Sequence, residues 1–123
     1  MTMTVLDPAP SVFDCAAVRS MTGHSGDRAF ARVFVSRYRQ LLPLRVRRII
    51  GAVRDGDLDE AMDAVLSLKT SSSTAGTGEL FELGARIERH LRQLDLSTAS
   101  LAAEELECAA RRAHRALTAF LGG

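Results

Sequence analysis

Tryptophan is missing from this sequence, and its 123 residues include one tyrosine and five phenylalanines. With so few aromatics the core has to be built from Leu, Val, Ile and Ala. Only two cysteines occur, Cys15 and Cys108, without CxxC spacing or a histidine partner in motif. Two reduced thiols are therefore expected, rather than a disulfide framework or a zinc site. His24, His90 and His114 are scattered, with no HxxxH or HExxH spacing, and neither a Gly-rich phosphate loop nor a GxSxG turn is present. No metal, no cofactor and no enzymatic activity are expected. The apolar runs fall well short of the ~20 residues that cross a bilayer, and Met1 to Pro10 lacks the basic cluster and apolar centre of a signal peptide. A cytoplasmic location without a membrane partner follows as an expectation. An excess of charge is lacking too. Sixteen basic residues against fifteen acidic ones leave a net charge of +1, which argues against nucleic-acid binding through a strong phosphate-attracting field. Lysine is almost absent: Lys69 is alone among fifteen arginines.

What is present is ordinary for a globular chain, with 46% hydrophobic and 25% charged residues. The length suits one domain, read as residues 1–123. Strand-like alternation is nearly absent, whereas 3.6-residue periodicity runs through most of the chain. A short helix is predicted over about Pro10 to Ser20, and Gly23 and Gly26 mark a loop. A second helix starts near Asp27, with Phe30, Phe34, Tyr38 and Leu41 as its apolar stripe. Pro43 is predicted to break or kink it, after which Val46, Ile49, Ile50 and Val53 resume the pattern. Asp55-Gly56-Asp57 reads as a stop and restart, with Asp57 and Glu60 spaced as a capping box. The next helix buries Leu58, Ala61, Val65, Leu68 and Ser72, and Gly76 and Gly78 end it. Then come a helix burying Leu80, Leu83, Ile87, Leu91 and Leu94, a loop near Asp95 to Ser97, and a last helix presenting Ala102, Leu106, Ala109, Ala113, Ala116 and Phe120. The expected fold is all-α: an antiparallel four-helix bundle with an additional short N-terminal helix.

The stretch from Asp57 to Gly76 resembles the centre of a histidine-containing phosphotransfer (HPt) domain. That family places a His-x-Leu-Lys-Gly-Ser-Ser-type motif on a helix that follows a Gly-Asp-Leu turn, with another glycine a few residues on. Leu68, Lys69, Ser71, Ser72 and Gly76 stand at matching places. The likeness extends outward to Leu6-Asp7-Pro8, to the helix around Pro43 and to the two closing helices. It implies a role in two-component phosphorelay, where such domains carry phosphoryl groups between receiver domains. It also implies a phosphoacceptor histidine two residues before Leu68. Leu66 occupies that position, and Thr70 replaces the motif glycine.

Leucine has no lone pair and cannot take a phosphoryl group, so phosphotransfer through position 66 is excluded. The helix seam turns position 66 away from the core, beside Met62, Lys69, Thr70 and Ser73. An exposed Leu next to an exposed Met makes a small apolar patch of the kind that binds partners. The reading is a pseudo-HPt protein that docks a response-regulator receiver domain or a sensor histidine kinase through Met62, Leu66, Lys69, Thr70 and Ser73. Two alternatives stay open. His90, between Arg89 and Leu91, is either a displaced phosphoacceptor or a partly buried, locally hydrogen-bonded histidine. The Met62–Leu66 face is otherwise a homodimer contact. The hydroxyl run Thr70 to Thr74 is read as structural packing and not as a nucleophile site, serine in a helix being able to bond back to the carbonyl one turn earlier. His114 belongs to a basic face with Arg111, Arg112 and Arg115. Arg45, Arg47 and Arg48 form another, countered in sequence by Asp55 to Asp63.

Overall fold

The computed structural model describes residues 10–21 and 28–122. They form five helices: α1 (Cys15–Met21), α2 (Arg28–Arg54), α3 (Leu58–Ala75), α4 (Gly78–Arg92) and α5 (Leu96–Gly122). No strand occurs among the described residues. Connections of two or three residues join α2 through α5, and each of these helices packs on the next, so they alternate in direction. α5 returns to pack on α2 and closes the bundle, while α1 lies across α2 and α3. Leu6-Asp7-Pro8, Gly23, His24 and Gly26 fall outside the described residues.

The ends of α3 are set as its sequence suggests. The Asp57 carboxylate accepts from the Glu60 amide at 3.1 Å, and Gly76 closes the helix at φ 78°. The capping box is only half formed, because the Glu60 side chain pairs with Arg48 instead of reaching back to Asp57. Gly78 does not end α3 but opens α4. The loop near Asp95 lies two residues earlier than predicted, at residues 93–95. Asp95 caps α5, accepting from the Thr98 amide at 3.1 Å and its hydroxyl at 2.7 Å.

Four helix faces differ in part from the predicted ones. α2 runs unbroken through Pro43 and buries Ala31, Val35, Tyr38, Leu42, Val46, Ile49 and Val53. That stripe stays continuous at 3- and 4-residue steps on both sides of the proline, whereas Phe30 and Leu41 lie exposed and Phe34 is half-buried. Pro43 is tolerated because it sits on the exposed side of the helix. On α4, Leu94 falls outside the helix: it takes a left-handed turn at φ 57° and is 70% exposed. On α5, Leu117 is fully buried, and Ala116 and Phe120 are only partly covered. Leu58 is likewise half-buried at the start of α3.

The N-terminal segment is a strap rather than a helix until Cys15. The Asp14 amide donates to the Gly76 carbonyl at 2.7 Å, and the Glu79 amide donates to Ser11 at 2.8 Å. These bonds pin residues 10–14 to the α3–α4 turn, so the first helix is shorter than the predicted Pro10–Ser20. Beneath the same turn, the Tyr38 hydroxyl lies 2.9 Å from Ser72 Oγ and 2.6 Å from Thr77 Oγ1. All three residues are buried, so each satisfies the others where water cannot. Burial pushes the Tyr38 phenol pKa up.

Candidate functional site

The middle of α3 carries the candidate surface, and the helix geometry places its residues on distinct faces. Ala61, Ala64, Val65, Leu68 and Ser72 point into the bundle. Leu66 points out and is 40% exposed. Thr70 and Ser73 are exposed beside it. Met62 corrects the expectation of an exposed methionine: it is half-buried and packs against the core. Its side of the helix leans toward the bundle, so the apolar patch rests on Leu66 and on neighbours from other helices.

Those neighbours come from α2 and α4. On one flank, Leu66, Lys69, Thr70 and Ser73 share a shallow depression with Phe81 of α4. On the other flank, Leu66 and Thr70 share a second depression with Phe34 and Arg45 of α2. Leu66 is therefore a ridge between two hollows, each with an aromatic wall. The hydroxyls of Thr70, Ser71 and Thr74 donate to the carbonyls of Leu66, Ser67 and Thr70 at 3.0, 2.7 and 3.2 Å. Bonded in this way, and without an adjacent base, none of them is set up as a nucleophile.

Lys69 does not project toward Leu66's open side. Its stem crosses onto α4, and its ammonium donates to Glu88 at 2.6 Å and lies 5.4 Å from the centre of the Phe81 ring. Glycine at position 84 makes this possible. A Cβ there would stand 2.9 Å from Lys69 Cγ. Glu88 in turn accepts from Arg92 at 2.7 and 2.9 Å. Lys69 and Arg92 together hold the Glu88 carboxyl below its ordinary pKa. The lysine is thus neutralised within the protein, in a largely covered pair with Glu88 that the exposed Arg92 flanks.

Phe81, Gly84 and Glu88 were not singled out in the sequence, and Phe34 and Arg45 were read there only as an apolar-stripe residue and a basic-face residue of the second helix. No motif marks them, but one signal was available. Lys69 and Gly84 are equidistant from the Gly76–Thr77 turn, so an antiparallel α3–α4 pair has to bring them together.

His90 lies elsewhere. Phe81, Gly84 and Glu88 mark the side of α4 that meets α3, whereas Glu79 and Arg86 reach α5 through ion pairs with Arg112 and Glu105. His90, one turn beyond Arg86, shares the α5 side. It is half-buried, and its Nδ1 is buried without a hydrogen-bond partner, unlike the locally bonded histidine expected. His114 is exposed on α5. Both cysteines are free, and no cluster of His, Cys, Asp and Glu among the described residues could hold a metal ion.

No family model matches the chain, and no curated protein matches it in sequence. Among solved structures, the HPT domain of an Hpt sensor hybrid histidine kinase from Shewanella matches with a TM-score of 0.76, over 90% of this chain and 94% of that one. The fold is that of an HPt domain. At 19% identity the likeness is one of architecture, and it agrees with the helix order implied by the motif on α3. Within this HPt fold, the surface around position 66 offers apolar contact and a cation already committed to a carboxylate. Leucine, a side chain with no lone pair, stands at position 66 itself.

Proposed function

We propose that this chain is a pseudo-HPt protein of two-component signalling, which binds a receiver domain or a sensor histidine kinase and modulates signalling by occupancy. The observation that supports it most is Leu66, exposed as a ridge on the central helix of an HPt fold, at the position where the motif requires a histidine. In this reading residues 1–123 are one domain and the protein acts in the cytoplasm as a binding module, not an enzyme. Among the described residues no helix is long and apolar enough to cross a membrane. Met62 supports the docking face from beneath, Leu66, Thr70 and Ser73 form its centre, and Phe34, Arg45 and Phe81 extend it. Lys69 contributes through its stem and the Phe81 ring rather than by a free charge.

The test is binding of the organism's receiver domains, read by titration calorimetry, with wild type and Leu66→Glu. Wild type binds at least one receiver without becoming phosphorylated. A charge on the ridge lowers affinity by about tenfold or more. If wild type binds none, the docking reading fails. Acid-labile phosphate on wild type that disappears in His90→Gln would replace this reading with phosphotransfer through His90. A dimer mass that falls to monomer in Leu66→Glu would replace it with self-association.

A further inference from the structure

A second surface lies on the far side of the bundle, in the seam between α2 and α5. Leu42, Val46 and Ala110 floor a groove there of about 260 Å³, with the exposed Pro43 at its edge. That is below the roughly 300 Å³ or more usual for a small-molecule site, and it is a size suited to side chains. Its rim is Arg47, Arg111 and His114, with Glu107 as the one acid. No residue of α3 or α4 lines it.

The charge around this groove is far from that of the whole chain. α2 carries eight arginines and no acidic residue. Among the described residues only Arg48 of these eight forms an ion pair, with Glu60 and Asp63 on the α3 side. On the α5 side, Arg39 donates to the Thr118 hydroxyl at 3.2 Å and Arg32 to the Leu121 carbonyl. Both hydrogen bonds fix guanidinium groups along the seam on neutral acceptors, with no ion pair among the described residues. Among the described residues Arg111 bonds to Cys108 Sγ, at 3.4 Å, and forms no ion pair. An apolar trough is thus bordered by Arg47 and Arg111, neither of which forms an ion pair among the described residues, with Glu107 as the one acid on its rim.

We propose that the α2–α5 groove is an interaction surface for an acidic amphipathic helix of a partner protein. Aliphatic side chains at i, i+3 and i+4 would enter the trough, and flanking carboxylates would meet Arg47 and Arg111. A second copy of α2 is a poor occupant, because it would set eight arginines against eight. A nucleic acid would leave the apolar floor unused. A bilayer presents a plane, whereas these apolar atoms are recessed between two helices. The groove and the Leu66 ridge share no residue, so both can be occupied at once.

The probe is a labelled synthetic peptide of about 18 residues, with Leu at i, i+3, i+4 and i+7 and Glu elsewhere, followed by fluorescence anisotropy on the full chain. Saturable binding is expected, weakening as salt is raised. Arg47→Glu/Arg111→Glu lowers affinity by about tenfold or more. Pro43→Glu does the same by placing a carboxylate at the groove edge. It is made at an exposed helical position and carries the test if the double variant fails to fold. Leu66→Glu leaves peptide binding unchanged, which separates this surface from the docking ridge. Absence of saturable binding overturns the proposal, as does equal binding of the same peptide with Lys for Glu, or unchanged affinity in folded Pro43→Glu. Tighter binding to a thymidine oligonucleotide or to phosphatidylglycerol–phosphatidylcholine vesicles, lost in the same variants, overturns it in favour of a phosphate-bearing partner.

Discussion

Gly56 and Gly76 have nearly the same backbone, φ 71° and 78°, in different surroundings. Replacing each with alanine separates the cost of the conformation from the cost of contact. At Gly56 the nearest atom to an added Cβ is Leu96 Cδ1 at 4.0 Å. Only the left-handed conformation is penalised there, by about 1 kcal/mol, partly offset by the reduced freedom of the unfolded chain. At Gly76 the same Cβ would stand 2.3 Å from the Asp14 carbonyl oxygen and 3.0 Å from Ala17 Cβ. The strap has to withdraw, losing the Asp14–Gly76 hydrogen bond and disturbing the neighbouring Ser11–Glu79 bond. At about 1 kcal/mol for each bond, plus the packing of the fully buried Val18, the total reaches about 3–4 kcal/mol. For a chain of this length that is a fall in Tm of roughly 12–16 °C, against roughly 4 °C or less for Gly56→Ala. Urea denaturation followed by circular dichroism measures both. Cys15, half-buried on α1, adds a local readout, since its reaction with a thiol reagent quickens in Gly76→Ala and not in Gly56→Ala. Two variants within about 1 kcal/mol of each other, with equal Cys15 reactivity, would refute the argument that the strap is clamped at Gly76.

Three further outcomes follow from the same geometry. Tyr38→Phe leaves Ser72 and Thr77 short of a partner in a dry site and costs about 1–3 kcal/mol in urea denaturation; a neutral result would mean that water reaches them. The Glu88 carboxyl is held below its ordinary value by Lys69 and then Arg92, and the Asp95 carboxyl by the hydroxyl and amide of Thr98. A carboxyl depressed on folding contributes stability above its unfolded pKa and loses it as pH falls through the folded one, so urea midpoints decline below about pH 4.5. Glu88→Gln flattens that decline, and an unchanged pH dependence would remove Glu88 from the account. Leu66→His alone accepts phosphoryl from a phosphorylated receiver slowly, because Lys69 is already paired; adding Glu88→Gln raises the rate by about tenfold, and equal rates would show the pairing to be irrelevant.

Much of the fold is legible in the sequence wherever local chemistry marks an end. Asp57 and Gly76 bracket α3, and its 3-4 seam fixes which residues face inward, Leu66 among those that do not. α2 was harder to read because its large apolar residues mislead. Phe30 and Leu41 are more hydrophobic than Ala31 and Val35, yet only the stripe through Ala31, Val35 and Leu42 continues in phase with Val46 and Ile49 beyond Pro43. Leu94 has the right spacing for α4, but the helix ends at Arg92 and Leu94 itself takes the left-handed turn. The site is less legible than the fold. The motif locates Lys69, whereas its partner Glu88 is decided by the register of a helix hairpin and by the missing side chain of Gly84. Those are tertiary facts with no local signature.

The near-neutral total also conceals a strong separation of charge. Eight of the sixteen basic residues and none of the fifteen acidic ones lie on α2, so that helix carries +8 and the remainder of the chain −7. Such a molecule has a large permanent dipole moment. In the field of a charged partner it rotates before contact, so that encounters begin from a restricted set of orientations. Its association rate with acidic partners will therefore respond to ionic strength far more steeply than a net charge of +1 would suggest.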